Sequence, residues 1–438
     1  MQPNAFGRQS LAPKPAAVLD AVMSQAEDVA ALFDRLRDGS RDGDGITRDT
    51  YGAGESFAHR LIAERADAMG LEARRDHAAN LFVTLPGSDR GAPCLMTGSH
   101  LDSVARGGNF DGAAGVVAGL VAIAALQRLG LRLRRDVTTA AIRAEESVWF
   151  QVSYIGSRAA FGTLPAGALE ARRVDSGRTL AEHMAQCGAQ VEAVRAGTAS
   201  LQAKSIKAWV ELHIEQAPQL VEAGLPMAVG IGVPGNFRYP HVRIAGEYAH
   251  VGLPRRFRRD AVLAASDFAI GLDEMWKDSE AAGRPMAFTI GRFHTDPAEH
   301  ALTKVAGEMA LSLDVRAYDK AHLAELEKAV LRLVGEIEPR RGVRFDLGVR
   351  ASAEVAPSDP GIVDGLLASA KALGVPTMPL ASPASHDTAT FTVAGVPSAM
   401  LFVRNANGSH NPREAMEITD FLQAAAVLAH WLAGEANT

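Results

Sequence analysis

Gly98-Ser99-His100-Leu101-Asp102 opens, and Gly107-Gly108-Asn109-Phe110-Asp111-Gly112 closes, a glycine-rich stretch in which His100 and Asp111 are available metal ligands. Asp102 is placed to accept the second ring N–H of His100, which would fix the tautomer and raise the basicity of the ring. Glu145-Glu146 end a β-branched run. Because neighbouring strand residues point to opposite sides, one carboxylate could face a metal and the other a water. In Glu211-Leu212-His213-Ile214-Glu215 the alternation sets Val210, Leu212 and Ile214 on one face and Glu211, His213 and Glu215 on the other. His410 lies in Gly408-Ser409-His410-Asn411-Pro412, a loop that Gly and Pro hold in shape. Taken singly, these are a satisfied loop histidine, a solvated turn and the wet side of a sheet. As a set, His100, Asp111, Glu146, His213 and His410 supply imidazole and carboxylate without thiolates, the mixture suited to zinc or manganese.

The elements that must position these groups read as an α/β sheet. Cys94 to Gly98 is a short apolar run before Ser99-His100, Ala113 to Leu129 is a helix apolar on nearly all faces, and Val137 to Ile142 and Ala399 to Val403 are buried strands. Polar residues follow each strand, so the reactive groups fall beyond the carboxyl ends, where crevices between loops form. Between 223 and 347 the texture changes to strand at His241 to His250, helix near Asp260 to Trp276, strands at Met286 to Phe293 and Met309 to Val315, helix at Lys320 to Ile337 and strand near Val343 to Leu347. That βαββαβ order closes on itself as a ferredoxin-like unit. The expected organisation is a catalytic α/β domain over 1–222 and 348–438, with an inserted second domain over 223–347.

With 438 residues and 47% hydrophobic composition, the chain can bury two cores. Its 45 basic and 51 acidic side chains give a net charge of −6, with no basic excess to hold a phosphate backbone, so nucleic acid is excluded as a partner. Cys94 and Cys187 lack any CxxC spacing, which argues against a disulfide framework and a thiolate zinc site and fits a reducing, cytoplasmic setting. Residues 1–15 lack a signal-peptide apolar core and no later run reaches membrane-spanning length, so no membrane association is expected.

The sequence resembles the M20 family of metallopeptidases and amidohydrolases. Within it, the likeness is to the hydantoinase/carbamoylase branch of N-carbamoyl-L-amino-acid hydrolases, β-ureidopropionases and allantoate amidohydrolases. It starts near Gly45-Ile46-Thr47-Arg48 and runs through Gly70-Leu71, Asn80-Leu81, the His100 to Asp111 loop, Glu145-Glu146, Glu211-Leu212-His213-Ile214-Glu215-Gln216 and Ser409-His410. The resemblance implies two divalent ions, zinc or manganese, with cobalt or nickel as substitutes in vitro. Asp111 would bridge them, Glu146 and His410 would complete one site, and His100 and His213 the other. It implies Glu145 as general base toward a bridging water and then as acid toward the leaving nitrogen. It also implies a homodimer formed through the insert, in which His250 reaches across to the partner subunit's oxyanion, and Arg316 as the guanidinium that grips a substrate carboxylate. Gln216 and His386 match pocket positions.

Departures fall where the branch reads its substrate. Thr303, with Ala306-Gly307, stands where an asparagine precedes a Pro-Gly turn, and Val251-Gly252-Leu253-Pro254-Arg255-Arg256 is one residue shorter than the usual segment after the histidine. The Arg255 to Arg259 run reads as a solvated loop or as a preference for an anionic or bulky substrate. Asn236-Phe237 replace a Gln-Arg pair, and Phe237 would favour an aromatic or apolar side chain. The expected substrate is an N-carbamoyl amino acid or related ureido acid. The alternatives are an N-acyl amino acid or dipeptide, or a ligand-binding relative without turnover.

Overall fold

The computed structural model describes residues 13–437. They divide into two compact units, the first reaching Gly232 and resuming at Ser358, the second being Val233–Pro357. Both boundaries lie ten residues beyond those expected. Met227–Gly230 is a strand of the first sheet, paired to Ser398–Val403, and Ala351–Ala353 pairs with Gly235–Ala245 of the second.

The first unit carries an eight-stranded mixed sheet in the order Thr377–Leu380, Met227–Gly230, Ser398–Val403, Ile206–Ile214, Cys94–His100, Val137–Ile142, Leu81–Leu85, Glu72–Arg75. The central four strands are parallel. Burial on both faces explains their continuous apolar runs. It also removes the wet-face explanation of the Glu211 alternation, because Glu211 and His213 are themselves buried. Ala113–Arg128 packs along this sheet through glycines: a Cβ at Gly115 would lie 2.2 Å from the Leu212 carbonyl oxygen, and one at Gly119 2.0 Å from Thr139 Oγ1. Ile418–Glu435 packs on the same helix and completes the core.

The second unit has the expected βαββαβ order. Its antiparallel strands run Met286–Thr289, Glu308–Ala317, Gly235–Ala245, Arg344–Asp346, with helices Ala261–Ala281 and Lys320–Arg341 as crossovers. Phe237, Tyr239, Val242 and Ile244 form its core with Ala264, Phe268, Leu272 and Val330. The strand expected over His241 to His250 instead starts at Gly235 and ends at Ala245. Ala249–His250 is a separate pair with Lys304–Val305, and the register slips between Tyr239 and Val242, where Pro240 has no N–H to give.

Candidate metal centre

His100 ends its strand, and Asp111 precedes Gly112, whose φ of 65° and close approach admit no side chain: a Cβ there would lie 2.5 Å from the His100 ring. His213 is the penultimate residue of Ile206–Ile214. Glu145 and Glu146 sit beyond Val137–Ile142 in a turn rather than on the strand. His410 comes from the loop after Ser398–Val403, with φ 60°. These loops leave neighbouring parallel strands at their carboxyl ends, so chain positions far apart meet there.

Two groups result. Nε2 of His100 and Nε2 of His213 each lie 3.4 Å from Asp111 Oδ1 and 3.5 Å from one another. Across the same carboxylate, His410 Nε2 lies 3.6 Å from Asp111 Oδ2 and 3.2 Å from Glu146 Oε1. A tetrahedron with bonds of ~2.0–2.1 Å has edges of about 3.3–3.4 Å, so both groups have the spacing of ligands about an ion. The rings present the right atoms as well, because Nδ1 of His100 and of His213 face the carbonyl oxygens of Asp102, at 3.0 Å, and Ile214, at 2.9 Å. Donor chemistry and spacing therefore fit a pair of divalent ions sharing Asp111.

These side chains form a crowded charge cluster, buried except at His410. Burial would lower the His100 pKa, but Asp102, Asp111 and Glu145 outweigh it and hold it well above the ordinary imidazole value. Burial would raise Asp111, yet His100 and His213 hold its carboxyl well below the usual range. Hydrogen bonding to Glu146 lifts His410 to about 9. Burial, opposed by the charge of His100 and reinforced by that of Glu146, pushes Glu145 well above an ordinary glutamate, the direction that makes it a stronger proton acceptor. Its Oε2 lies 3.9 Å from His100 Nε2.

Asp102 meets its expectation in part: its carboxylate raises His100, but the backbone oxygen is the nearer partner of the ring. His100 Nδ1 is nearer the Asp102 backbone oxygen, at 3.0 Å, than its carboxylate, at 3.4 Å. The carboxylate accepts instead from the Glu145 and Glu146 N–H groups, at 3.1 and 3.2 Å, and from Thr50 Oγ1 at 2.5 Å. A short side chain beyond a strand end reaches the next loop's backbone more readily than a ring two residues back. Gln216, with φ 64°, donates from Nε2 to Asp111 Oδ2 at 2.7 Å, and the His386 ring lies 4.3 Å from that of His213.

His250, Arg316, Asn236 and Thr303 lie in the second unit. Arg316 Nε meets Asp314 Oδ1 at 3.1 Å, and Arg238 Nε shares the other oxygen at 2.6 Å. Asn236 stands opposite Arg316 in the strand register, but its Oδ1 accepts from the Ala353 N–H at 3.0 Å. His250 and Thr303 are exposed. Phe237 does not shape a pocket as expected, because it is fully buried in the core against Tyr239. Arg255–Phe257 form one 3-10 turn of exposed residues.

Two participants have no role assigned from the sequence. Glu414 accepts the N–H groups of Phe110 and Asp111, at 2.8 and 3.2 Å, and the Ser409 hydroxyl at 2.7 Å, tying the Asp111 loop to the His410 loop; burial raises it to about 7. Its spacing four residues after His410 was the available signal. Arg48 is fully buried beneath the loop and donates to the Leu101 oxygen at 2.7 Å and to Asn109. Only family likeness had marked it.

The model of peptidase family M20/M25/M40 matches residues 96–434. The chain belongs to the M20 family. An N-carbamoyl-L-amino acid amidohydrolase of Geobacillus stearothermophilus is 33% identical over 407 residues, 91% of this chain and 96% of the relative. An allantoate amidohydrolase of Escherichia coli is 29% identical over 88% of this chain and 92% of its own. The solved structure of a hydantoinase/carbamoylase family amidase from Burkholderia multivorans superposes with a TM-score of 0.81 at 25% identity, covering 96% of this chain and 98% of that one. This M20 chain is thus an amidohydrolase of the hydantoinase/carbamoylase branch, as its motifs implied. Among the described residues, no helix is long and apolar enough to cross a membrane.

Proposed function

We propose that the protein hydrolyses the C–N bond of an N-carbamoyl amino acid or related ureido acid. The observation that carries this reading is the pair of ligand groups sharing Asp111 with Glu145 beside them, in a chain aligned over 91% of its length with an N-carbamoyl-L-amino acid amidohydrolase. A divalent pair held by His100, Asp111, His213, Glu146 and His410 would polarise a carbonyl and acidify a water. The chain's own work is then proton traffic and orientation. Glu145 takes a proton on its carboxylate and returns it to the leaving nitrogen, while Asp102 holds the backbone that carries it. Arg316 is the candidate fork for the substrate carboxylate, with Gln216, Asn236, Thr303 and His386 as further candidate contacts. The second unit would pair two copies, His250 of each serving the other's oxyanion. The donor set would suit zinc or manganese, since imidazole and carboxylate serve both.

The test is to give metal-loaded protein and its Glu145→Ala variant N-carbamoyl, N-acetyl and N-formyl L-amino acids, β-ureidopropionate and allantoate, and to follow amine and ammonia. Ammonia from a ureido acid, lost in the variant, is the expected result. Amine without ammonia would replace it with an acylase, and activity surviving in Glu145→Ala would sink the assigned role of that carboxylate.

A further inference from the structure

The turn that presents Glu145 and Glu146 is held in an unusual way. Four successive N–H groups, of Arg143, Ala144, Glu145 and Glu146, are each accepted by a buried side-chain oxygen rather than by backbone: Asn80 Oδ1 at 2.9 Å, Glu55 Oε1 at 2.9 Å, then Asp102 Oδ1 at 3.1 Å and Oδ2 at 3.2 Å. The carbonyls of Arg143, Ala144 and Glu145 in turn accept from Gly156, Ile155 and Tyr154, at 3.0, 2.9 and 3.1 Å. Both polar edges of the turn are thereby fixed.

Glu55 is the member that no motif explains. It lies in the first turn of Ala53–Ala68 and is fully buried. Its Oε2 accepts from the Tyr51 N–H at 2.8 Å and Arg143 Nη1 at 2.6 Å, while its Oε1 takes Ala144. Tyr51 and Ala144 are both non-glycine residues in the left-handed region, with φ 48° and 58°. An L-residue stays there only where its surroundings over-determine it. One carboxylate therefore holds two strained residues: Ala144, directly before Glu145, and Tyr51, directly after Thr50, which anchors Asp102.

We propose that Glu55 is a positioning residue for the reaction: its hold on the Ala144 N–H keeps the left-handed turn that aims the Glu145 carboxylate. This rests on the reading of Glu145 as the proton acceptor. Glu55 bonds to Tyr51, Arg143 and Ala144 and to none of the candidate metal ligands, so its loss should disturb the chemical step more than substrate binding or metal content.

The experiment uses full-length, zinc-loaded Glu55→Gln and Glu55→Asp, with Glu145→Ala alongside, on whichever compound of the panel above is turned over fastest. Glutamine keeps the volume but one acceptor oxygen fewer; aspartate keeps the charge facing Arg143 but withdraws from Ala144, and it serves if the glutamine variant does not fold. The expected result is a fall in kcat on the order of 10- to 100-fold, with KM and bound zinc per chain unchanged. Part of that loss should return when Ala144→Gly is added, because glycine adopts φ 58° without the steric penalty. Unchanged kcat in both Glu55 variants, with Glu145→Ala inactive, removes the proposal alone. A parallel loss of zinc and kcat also overturns it, by moving the effect to Glu146. Turnover surviving in Glu145→Ala removes the underlying reading and the proposal together.

Discussion

His100 and His213 each commit Nδ1 to a backbone carbonyl, which leaves Nε2 as the nitrogen that faces Asp111. The tautomer is thus set by main-chain atoms, which no substitution of a neighbouring carboxylate would remove. Among the described residues Asp111 alone belongs to both candidate ligand groups, and this makes the candidate ligands unequal. Asp111→Ala should bind almost no zinc, whereas His410→Ala should keep about one of two equivalents. Metal analysis after gel filtration reads the difference, and equal losses would sink the shared-ligand arrangement. At this scale the candidate ligands were legible because each is a metal-binding residue type at a strand end or in a glycine-containing loop beside one. Glu55 and Glu414 were not, because both act on backbone N–H groups remote in sequence, 89 residues from Glu55 to Ala144 and 303 from Glu414 to Asp111. Sequence pattern reports what a side chain is, and not which amide it will reach.

Among the elements, runs buried on both faces announced the central strands, and the switch to alternating texture announced the βαββαβ unit. What stayed hidden was membership. Met227–Gly230 could join either sheet by composition, and its partner Ser398–Val403 arrives some 170 residues later. A single glutamate-rich alternation likewise looked half-wet until the sheet covered both its faces. Within the second unit, the two crossover helices are joined by Asp267, which takes Arg341 Nε and Nη2 at 2.6 and 2.7 Å and Arg340 Nη2 at 2.9 Å. The bond to Arg341 holds its carboxyl below the ordinary 3.8. A carboxyl with a depressed folded-state pKa contributes stability above its unfolded value and loses it as pH falls through the folded one. Asp267→Asn should therefore cost about 1 kcal/mol near neutral pH, and urea titrations should show the gap to wild type closing as pH drops below 3.8. A gap that persists in strong acid would mean that packing, and not charge, accounts for it.

Over the whole molecule, every proposed metal ligand belongs to one unit, while the other has its own core of Phe268, Leu272 and Val330. Ligand binding stabilises only the state that binds. Calorimetry of metal-loaded and chelated protein should show one transition moving down and a second staying in place; equal movement of both would mean that the units unfold as one. The turn at 143–146 carries a consequence on another timescale. A loop is ordinarily where amide hydrogens trade fastest with solvent, yet these four N–H groups all end on buried oxygens. In deuterated water they should hold their protons as long as the central strands beside them, so that an exchange map of the chelated protein would pick out residues 143–146 as a slow island in an irregular segment.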